Sequence, residues 1–266
     1  MIDLHCHFLP GVDDGARDLP SALELARAAY DNGVRLSVLT PHVYPGRWDN
    51  TLSSLTPKFE AFRQAVEAAG IPLELRLGGE VHLLPECLAL LEQGDLPTIG
   101  SWEGRRVVLL EFPDAGIPVG AMNAVEFLLR RGCVPMLAHP ERNKGVMRSL
   151  DKLQPFVDAG CLVQLTAASV CGWFGPAAHR SALEILDAGW TTVVATDSHN
   201  LKHRPPVLAQ ARDVLAARYG VEGARVLTET HPMRVVTPDP MQVVAAAPQS
   251  AAPGAGPIKA SGADIH

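Results

Sequence analysis

The stretch IDLHCHFLPGVDDG (residues 2–15) packs two histidines, His5 and His7, and two aspartates, Asp13 and Asp14, around one short apolar run and a Pro/Gly loop. Alternate residues of a strand face the same side, so His5 and His7 project together from one strand end. Six further apolar runs of strand length follow: RLSVLTPH (35–42), LELRLGGEVH (73–82), RRVVLLEF (105–112), CVPMLAHPER (133–142), CLVQLTAAS (161–169) and WTTVVATDSHN (190–200). Between most of them lie helical stretches that end in glycine. SALELARAAYDNG (21–33) sets Leu23, Ala26 and Tyr30 on one face and ends in Gly33; others end in Gly132, Gly160 and Gly189. A glycine just past a helix takes the left-handed conformation that caps it. Strand, loop, helix, glycine, strand is the rhythm of a mostly parallel sheet with crossover helices.

Such a sheet either closes into a barrel or stays open and doubly wound. The run ends favour closure, because most finish in a metal-capable side chain: His5 and His7, His42, Glu80, Glu111, His139, then Asp197 and His199. In a (β/α) barrel the C-terminal strand ends ring one mouth and converge. An open sheet spreads them along an edge.

The 266 residues suit one large α/β barrel or two small domains, and 47% hydrophobic content can fill a large core. A net charge of −6 argues against a nucleic-acid binder with a basic surface. No run of 18 apolar residues predicts a membrane span, and histidine and aspartate at the N-terminus are unlike an export signal, so the sequence reads as cytoplasmic with no membrane insertion. The five cysteines form no CxxC pair and read as reduced, buried thiols. From about residue 241 the chain is rich in Ala, Pro, Gly and Ser. The expected organisation is therefore a catalytic barrel over 1–240 and a disordered tail over 241–266.

A lone strand-end histidine is more often a hydrogen-bonded structural group than a ligand. Agreement among all the strand ends is stronger evidence. His5, His7, Asp14, His42, Glu80, Glu111, His139, Asp197 and His199 exceed what one ion needs and fit two or three, with a carboxylate such as Glu80 bridging a pair. Mixed imidazole and carboxylate ligation suits Mn, Fe or Zn. His82, His179, His203 and His231 lack the placement and read as surface or loop histidines. Arg142 and Arg204 lie in loops leaving the same strand ends, and a guanidinium fork matches phosphate oxygens. Metals beside arginines point to phosphate-ester hydrolysis. No cysteine has an arginine six residues later, and neither GxSxG nor a P-loop is present. Of the loop aromatics, Trp48 reads as part of the substrate entrance and Trp173 as packing.

The set IDLHCHFLPGVDDG, TPH (40–42), GGEVHLLP (78–85), LLEF (109–112), AHPER (138–142) and TDSHN…RPP (196–206) resembles the PHP (polymerase and histidinol phosphatase) superfamily, and more closely its bacterial tyrosine-protein phosphatase branch of the CpsB/CapC/YwqE type. The likeness runs over roughly residues 1–238. It implies a distorted (β/α)7 TIM-like barrel with three divalent ions, usually manganese. By motif, His5, His7, Glu80 and Asp197 would hold one ion; Glu80, Glu111 and His139 a second; Asp14, His42 and His199 a third. Arg142 and Arg204 would grip the phosphate. The implied substrate is a phosphotyrosine-bearing bacterial tyrosine kinase that controls capsule or exopolysaccharide synthesis; the expected chemistry is direct attack of water on phosphorus, with no phosphoenzyme. His82 stands where relatives are expected to carry an aromatic residue, and His203 is an extra histidine before Arg204. A small-molecule PHP phosphatase, an amidohydrolase and a metal-stabilised scaffold are the rival readings. The second is disfavoured because the lysines sit in helices or loops.

Overall fold

The computed structural model describes residues 1–237. The expected tail, 241–266, and the end of the expected barrel at 240 lie outside the described residues. The strands are β1 Ile2–Cys6, β2 Leu36–Leu39, β3 His42–Val43, β4 Glu74–Leu77, β5 Glu80–His82, β6 Gly100–Trp102, β7 Arg105–Glu111, β8 Cys133–Ala138, β9 Leu162–Thr166 and β10 Val193–Ala195. The helices are α1 Leu19–Asp31, α2 Leu52–Ala68, α3 Pro85–Glu92, α4 Ala121–Arg130, α5 Lys144–Arg148, α6 Gln154–Asp158, α7 Ala167–Val170, α8 Pro176–Asp187, α9 Leu208–Arg225 and α10 His231–Val236.

β1, β2 and β4 pair in parallel, and β3, β5, β7, β8, β9 and β10 pair in parallel in that order. β2 continues into β3 and β4 into β5, stitched across their breaks by Gly78 N–H donating to Leu39 O at 2.8 Å and Glu80 N–H to Pro41 O at 3.1 Å. At the seam, Asp197 N–H donates to His5 O at 2.7 Å and His7 N–H to Ser198 O at 2.9 Å. Counted this way, seven parallel staves close on themselves, the distorted barrel the sequence led us to expect. β6 adds an antiparallel hairpin to β7. Gly33, Gly132, Gly160 and Gly189 all sit at positive φ after their helices. In α1 the fully buried face is Ala22, Leu25, Ala26 and Ala29. Leu23 and Tyr30, expected beside Ala26, lie at its margin and only partly pack on the core.

Side-chain alternation divides the core in two. Ile2, Leu4, Leu36, Val38, Val107, Leu109, Val134, Met136, Leu162 and Val193 fill the barrel interior, with Val235 and Val236 of α10 joining them. Cys6, Val43, Val81, Val108, Leu110, Val163 and Val194 belong instead to the layer under the helices. The period of two then aims His42, Glu80, His82, Glu111, Gln164 and Asp197 inward at the strand ends. β1 needs a correction to reach the same mouth. Its register with β2 shifts between Asp3 and Cys6, so Leu4 and the following His5 both serve the interior.

Asp3 fastens this seam from the face opposite the barrel interior. Its fully buried carboxylate accepts from Thr196 N–H at 2.9 Å and Thr196 Oγ1–H at 2.5 Å, across 193 residues of chain. Burial pushes its pKa up to about 6 despite those donors. The protonated form is the one folding favours. The stability it confers is complete below about pH 4 and is lost as pH rises through about 6. Asp3→Asn cannot ionise, so urea unfolding of the two proteins should converge or favour the wild type at pH 4. By pH 7 the variant should gain about 2–3 kcal/mol on the wild type. A difference that does not change with pH overturns this.

Candidate metal centre

The mouth is formed by side chains from six staves and the loop after β1. That loop doubles back: Ala16 N–H donates to His7 O at 3.0 Å, and a Cβ on Gly15 would lie 2.1 Å from the same oxygen. Only glycine permits the approach, and it delivers both Asp13 and Asp14 to the site.

His5 Nε2 lies 3.2 Å from Glu80 Oε2 and 3.3 Å from Asp197 Oδ1; His7 Nε2 lies 3.3 and 3.4 Å from the same atoms. The two Nε2 atoms are 3.2 Å apart. Ligands about 2.1 Å from a common ion stand roughly 3–3.5 Å from one another. A second group joins His7, Asp14, His42 and His199, with Asp14 Oδ1 at 3.4 Å from Nε2 of both His42 and His199. In a third, His42 Nδ1 reaches Glu80 Oε2 at 3.1 Å and Glu111 Oε2 at 3.8 Å. His139 Nε2 lies 2.7 Å from Glu80 Oε1 and 4.0 Å from Glu111 Oε1. All nine expected ligands thus meet at one mouth. Beside the expected sets, His7 is within reach of two groups, and His42 joins Glu80 and Glu111 next to His139.

Four buried atoms aimed into these groups have no hydrogen-bond partner among the described residues: His42 Nδ1, Glu80 Oε2, Asp197 Oδ1 and His199 Nε2. Leaving buried polar atoms unpaired costs about 1–3 kcal/mol each, so a donor set this dense is built for cations. The far ring nitrogens are engaged instead. His5 Nδ1 meets Gln164 Oε1 at 2.9 Å, His7 Nδ1 meets Asp13 Oδ2 at 2.8 Å, and His199 Nδ1 meets the Asp197 carbonyl at 3.0 Å. These bonds hold Nε2 of each ring toward the interior. His139 and Asp197 are the two site residues at positive φ, 34° and 51°, a conformation held by the surrounding packing.

Burial would lower the pKa of His5, His7 and His42, but the neighbouring carboxylates outweigh it and hold all three raised, His7 most strongly. Burial alone would raise Glu80 and Asp197. Their cationic neighbours, His5 and His42 for Glu80, and Arg204, His5 and Arg142 for Asp197, drive both well below the usual carboxylate range. His199 goes the other way, down to about 4, through burial and the adjacent His7.

Asp197 Oδ2 is gripped by Arg142 Nη1 at 2.5 Å and by Arg204 Nη2. One carboxylate therefore joins the histidine cluster to both arginines, which also line a cavity of about 460 Å³ over the site. Phe174 supports Arg142, its ring centroid 5.2 Å from the guanidinium carbon. Trp48 lines the cavity as expected and stacks on His42 at 4.7 Å. Trp173, expected to pack, is 55% exposed.

Sequence reasoning missed several residues here. His82 is no surface histidine: it is buried, stacked on Tyr44 at 4.0 Å and bonded to Glu111 Oε2 at 2.9 Å. The alternation used for His5 and His7 also sets it beside Glu80. Asp13, Gln164 and the buried Glu141, which accepts from Thr166 N–H at 3.0 Å, carried no comparable signal. His179 and His231 are half-buried and bond the carbonyls of Ser169 and Thr192, while His203 is exposed. Four cysteines are buried and Cys171 half-buried; all five are free. Among the described residues no lysine lines the cavity.

Fold and site together define a metal-binding (β/α)7 barrel with phosphate-sized cationic groups at its mouth. The chain belongs to the CpsB/CapC family of capsular polysaccharide synthesis, whose model matches residues 1–237. It is 32% identical over 229 residues to the tyrosine-protein phosphatase YwqE of Bacillus subtilis, covering 86% of this chain and 89% of the relative. Against the tyrosine-protein phosphatase CpsB of Streptococcus pneumoniae it is 28% identical, covering 89% and 98%. Among solved structures, that of the metal-dependent tyrosine phosphatases YwqE and CpsB superposes with a TM-score of 0.82 at 32% identity, over 90% of this chain and 96% of that one. The phosphotriesterase homology protein of Escherichia coli shares the fold, with a TM-score of 0.54 at 13% identity over 87% and 96%.

Two outcomes follow. Loading the metal-free protein with Mn²⁺ displaces protons from the raised imidazoles, so titration calorimetry at pH 7 in buffers of different ionisation enthalpy should show net proton release, and affinity should fall from pH 8 to pH 6. Asp13→Asn frees the His7 ring and should weaken Mn²⁺ binding by about 10–100-fold at unchanged secondary structure. Unaltered affinity refutes the orienting role.

Proposed function

We propose that this chain is a metal-dependent protein-tyrosine phosphatase whose substrate is phosphotyrosine on a bacterial tyrosine kinase governing capsule or exopolysaccharide synthesis. The observation that carries it is Asp197, with one oxygen on the histidine cluster and the other between two arginines at the floor of an open cavity. We further assign three sites, manganese being the preferred ion, to the groups around His5/His7/Glu80/Asp197, His7/Asp14/His42/His199 and Glu80/Glu111 with His42 and His139. The five free thiols support a reducing, cytoplasmic setting. No helix among the described residues is long and apolar enough to cross a membrane.

Bound divalent ions supply Lewis acidity toward the phosphoryl oxygens and bring the pKa of water near neutrality. The protein does the rest by placement. Arg142 and Arg204, largely buried and pinned by Asp197, offer their remaining N–H groups to the non-bridging oxygens. Glu80, fully buried, stays anionic at the junction of the groups. Trp48, Tyr44 and His82 give the cavity a partly aromatic wall that suits a phenyl ester. The phenol departs with a pKa of about 10, so it needs less protonation than an alkoxide.

Phosphate release is measured from phosphotyrosine peptide, phosphoserine peptide and histidinol phosphate, with Mn²⁺ and with chelator. Metal-dependent release from phosphotyrosine is expected; a preference for histidinol phosphate would move the enzyme to small-molecule metabolism. Glu80→Gln should lose metal and activity together. Arg142→Ala should keep its metal and raise KM about tenfold or more. A metal-free variant that stays active sinks the reading.

A further inference from the structure

Three arginines line the cavity, and two of them are committed to Asp197. The third, Arg47, is exposed and makes no ion pair among the described residues. It is nevertheless held in place. Residues 44–48 form a tight hairpin, with Tyr44 and Trp48 bridged and Arg47 N–H donating to Tyr44 O at 2.9 Å. Gly46 N–H donates to Asp49 Oδ1 at 2.7 Å, and the Asn50 amide ties the hairpin's base to His42 O at 2.9 Å and Val12 O at 3.0 Å. The guanidinium lies 4.1 Å from the Trp48 ring centroid and 5.9 Å from that of Tyr44. Stacked this way it loses little entropy on pairing, and its N–H edge stays free for a bidentate anion.

A phosphate monoester on Arg142 and Arg204 leaves this third cation unused. Asp114, exposed on the same cavity, adds its negative field at Arg142 and repels acidic groups on that side. Positive charge free for a ligand therefore lies on the Arg47 side of the rim. We propose that Arg47 is a specificity residue that pairs with a second anionic group next to the phosphotyrosine, either an acidic side chain or another phosphate. This rests on the phosphatase reading above.

The test uses the full chain loaded with Mn²⁺, as wild type, Arg47→Gln and Arg47→Lys. kcat/KM is measured for phosphotyrosine peptides with neutral, glutamate and second-phosphotyrosine flanks, and for para-nitrophenyl phosphate. Kd is measured by fluorescence anisotropy for the same peptides carrying a non-hydrolysable phosphonate. The wild type should favour at least one anionic flank over the neutral one by about tenfold in both readouts. Arg47→Gln should erase that preference while neutral peptide and para-nitrophenyl phosphate stay within about twofold, and Arg47→Lys, which keeps the charge but loses the ring stack and the bidentate fork, should restore only a minor part of it. The flank that loses most names the source of the anion. An equal fall on every substrate would mean that Arg47 only props Trp48 against His42, and no fall would mean that no anion sits there; either overturns the proposal. Failure of the wild type to turn over neutral peptide and aryl phosphate would overturn the phosphatase reading alone, because the Kd differences still decide Arg47.

Discussion

The seam between β1 and the segment after β10 is the constraint on which the rest depends. Two backbone hydrogen bonds, Asp197 N–H to His5 O and His7 N–H to Ser198 O, join the first strand to the last. Asp3 bonds Thr196 immediately behind them. Without that closure His5 and His7 have no Asp197, and Asp197 has no histidines to balance it. The contacts are among the most distant in sequence in the molecule, so the loop-closure entropy is met by the whole core rather than by local structure. The buried carboxylate at the seam makes this join sensitive to pH as well as to packing.

Once closed, the mouth concentrates charge that water would otherwise solvate. Glu80 and Asp197 are fully buried, and isolated carboxylates would be expelled or protonated there. Imidazolium and guanidinium neighbours hold them ionised. The same arrangement makes protons and metal ions rivals for one set of lone pairs. Asp13 and Gln164, which touch the outer nitrogens of His7 and His5, decide which ring nitrogen faces inward.

Around this charged floor the rim is joined by a run of ring contacts. Trp48 lies between His42 and Arg47, Tyr44 stacks on His82, and His82 bonds Glu111. Ring stacking thus runs from the donor groups to the solvent-facing edge. A substrate that touches the rim touches, at one remove, the side chains that face the interior.

Much of the fold was legible in the chain itself. Short apolar runs with glycine-stopped helices between them specify a parallel sheet, because period and punctuation are local properties. The repeated placement of His, Asp and Glu at run ends marked eight side chains, and Asp14 of the first loop made a ninth, that the structure brings to one mouth. The groupings around His42 and His7 were not legible, although alternation from Glu80 did point to His82. They depend on which staves become neighbours and on a one-residue register shift in β1 that flips side-chain parity. Asp3, Asp13, Gln164 and Glu141 act through a few hydrogen bonds to residues distant in sequence or across a tight loop, and such pairings leave no periodic trace. Exposure of Trp173 was likewise set by the neighbours the chain brings to it. The sequence by itself determined the elements, their order and the chemistry at their ends. Only the tertiary structure decided which donors share a site, since that follows from closing the barrel and not from any stretch of chain within it.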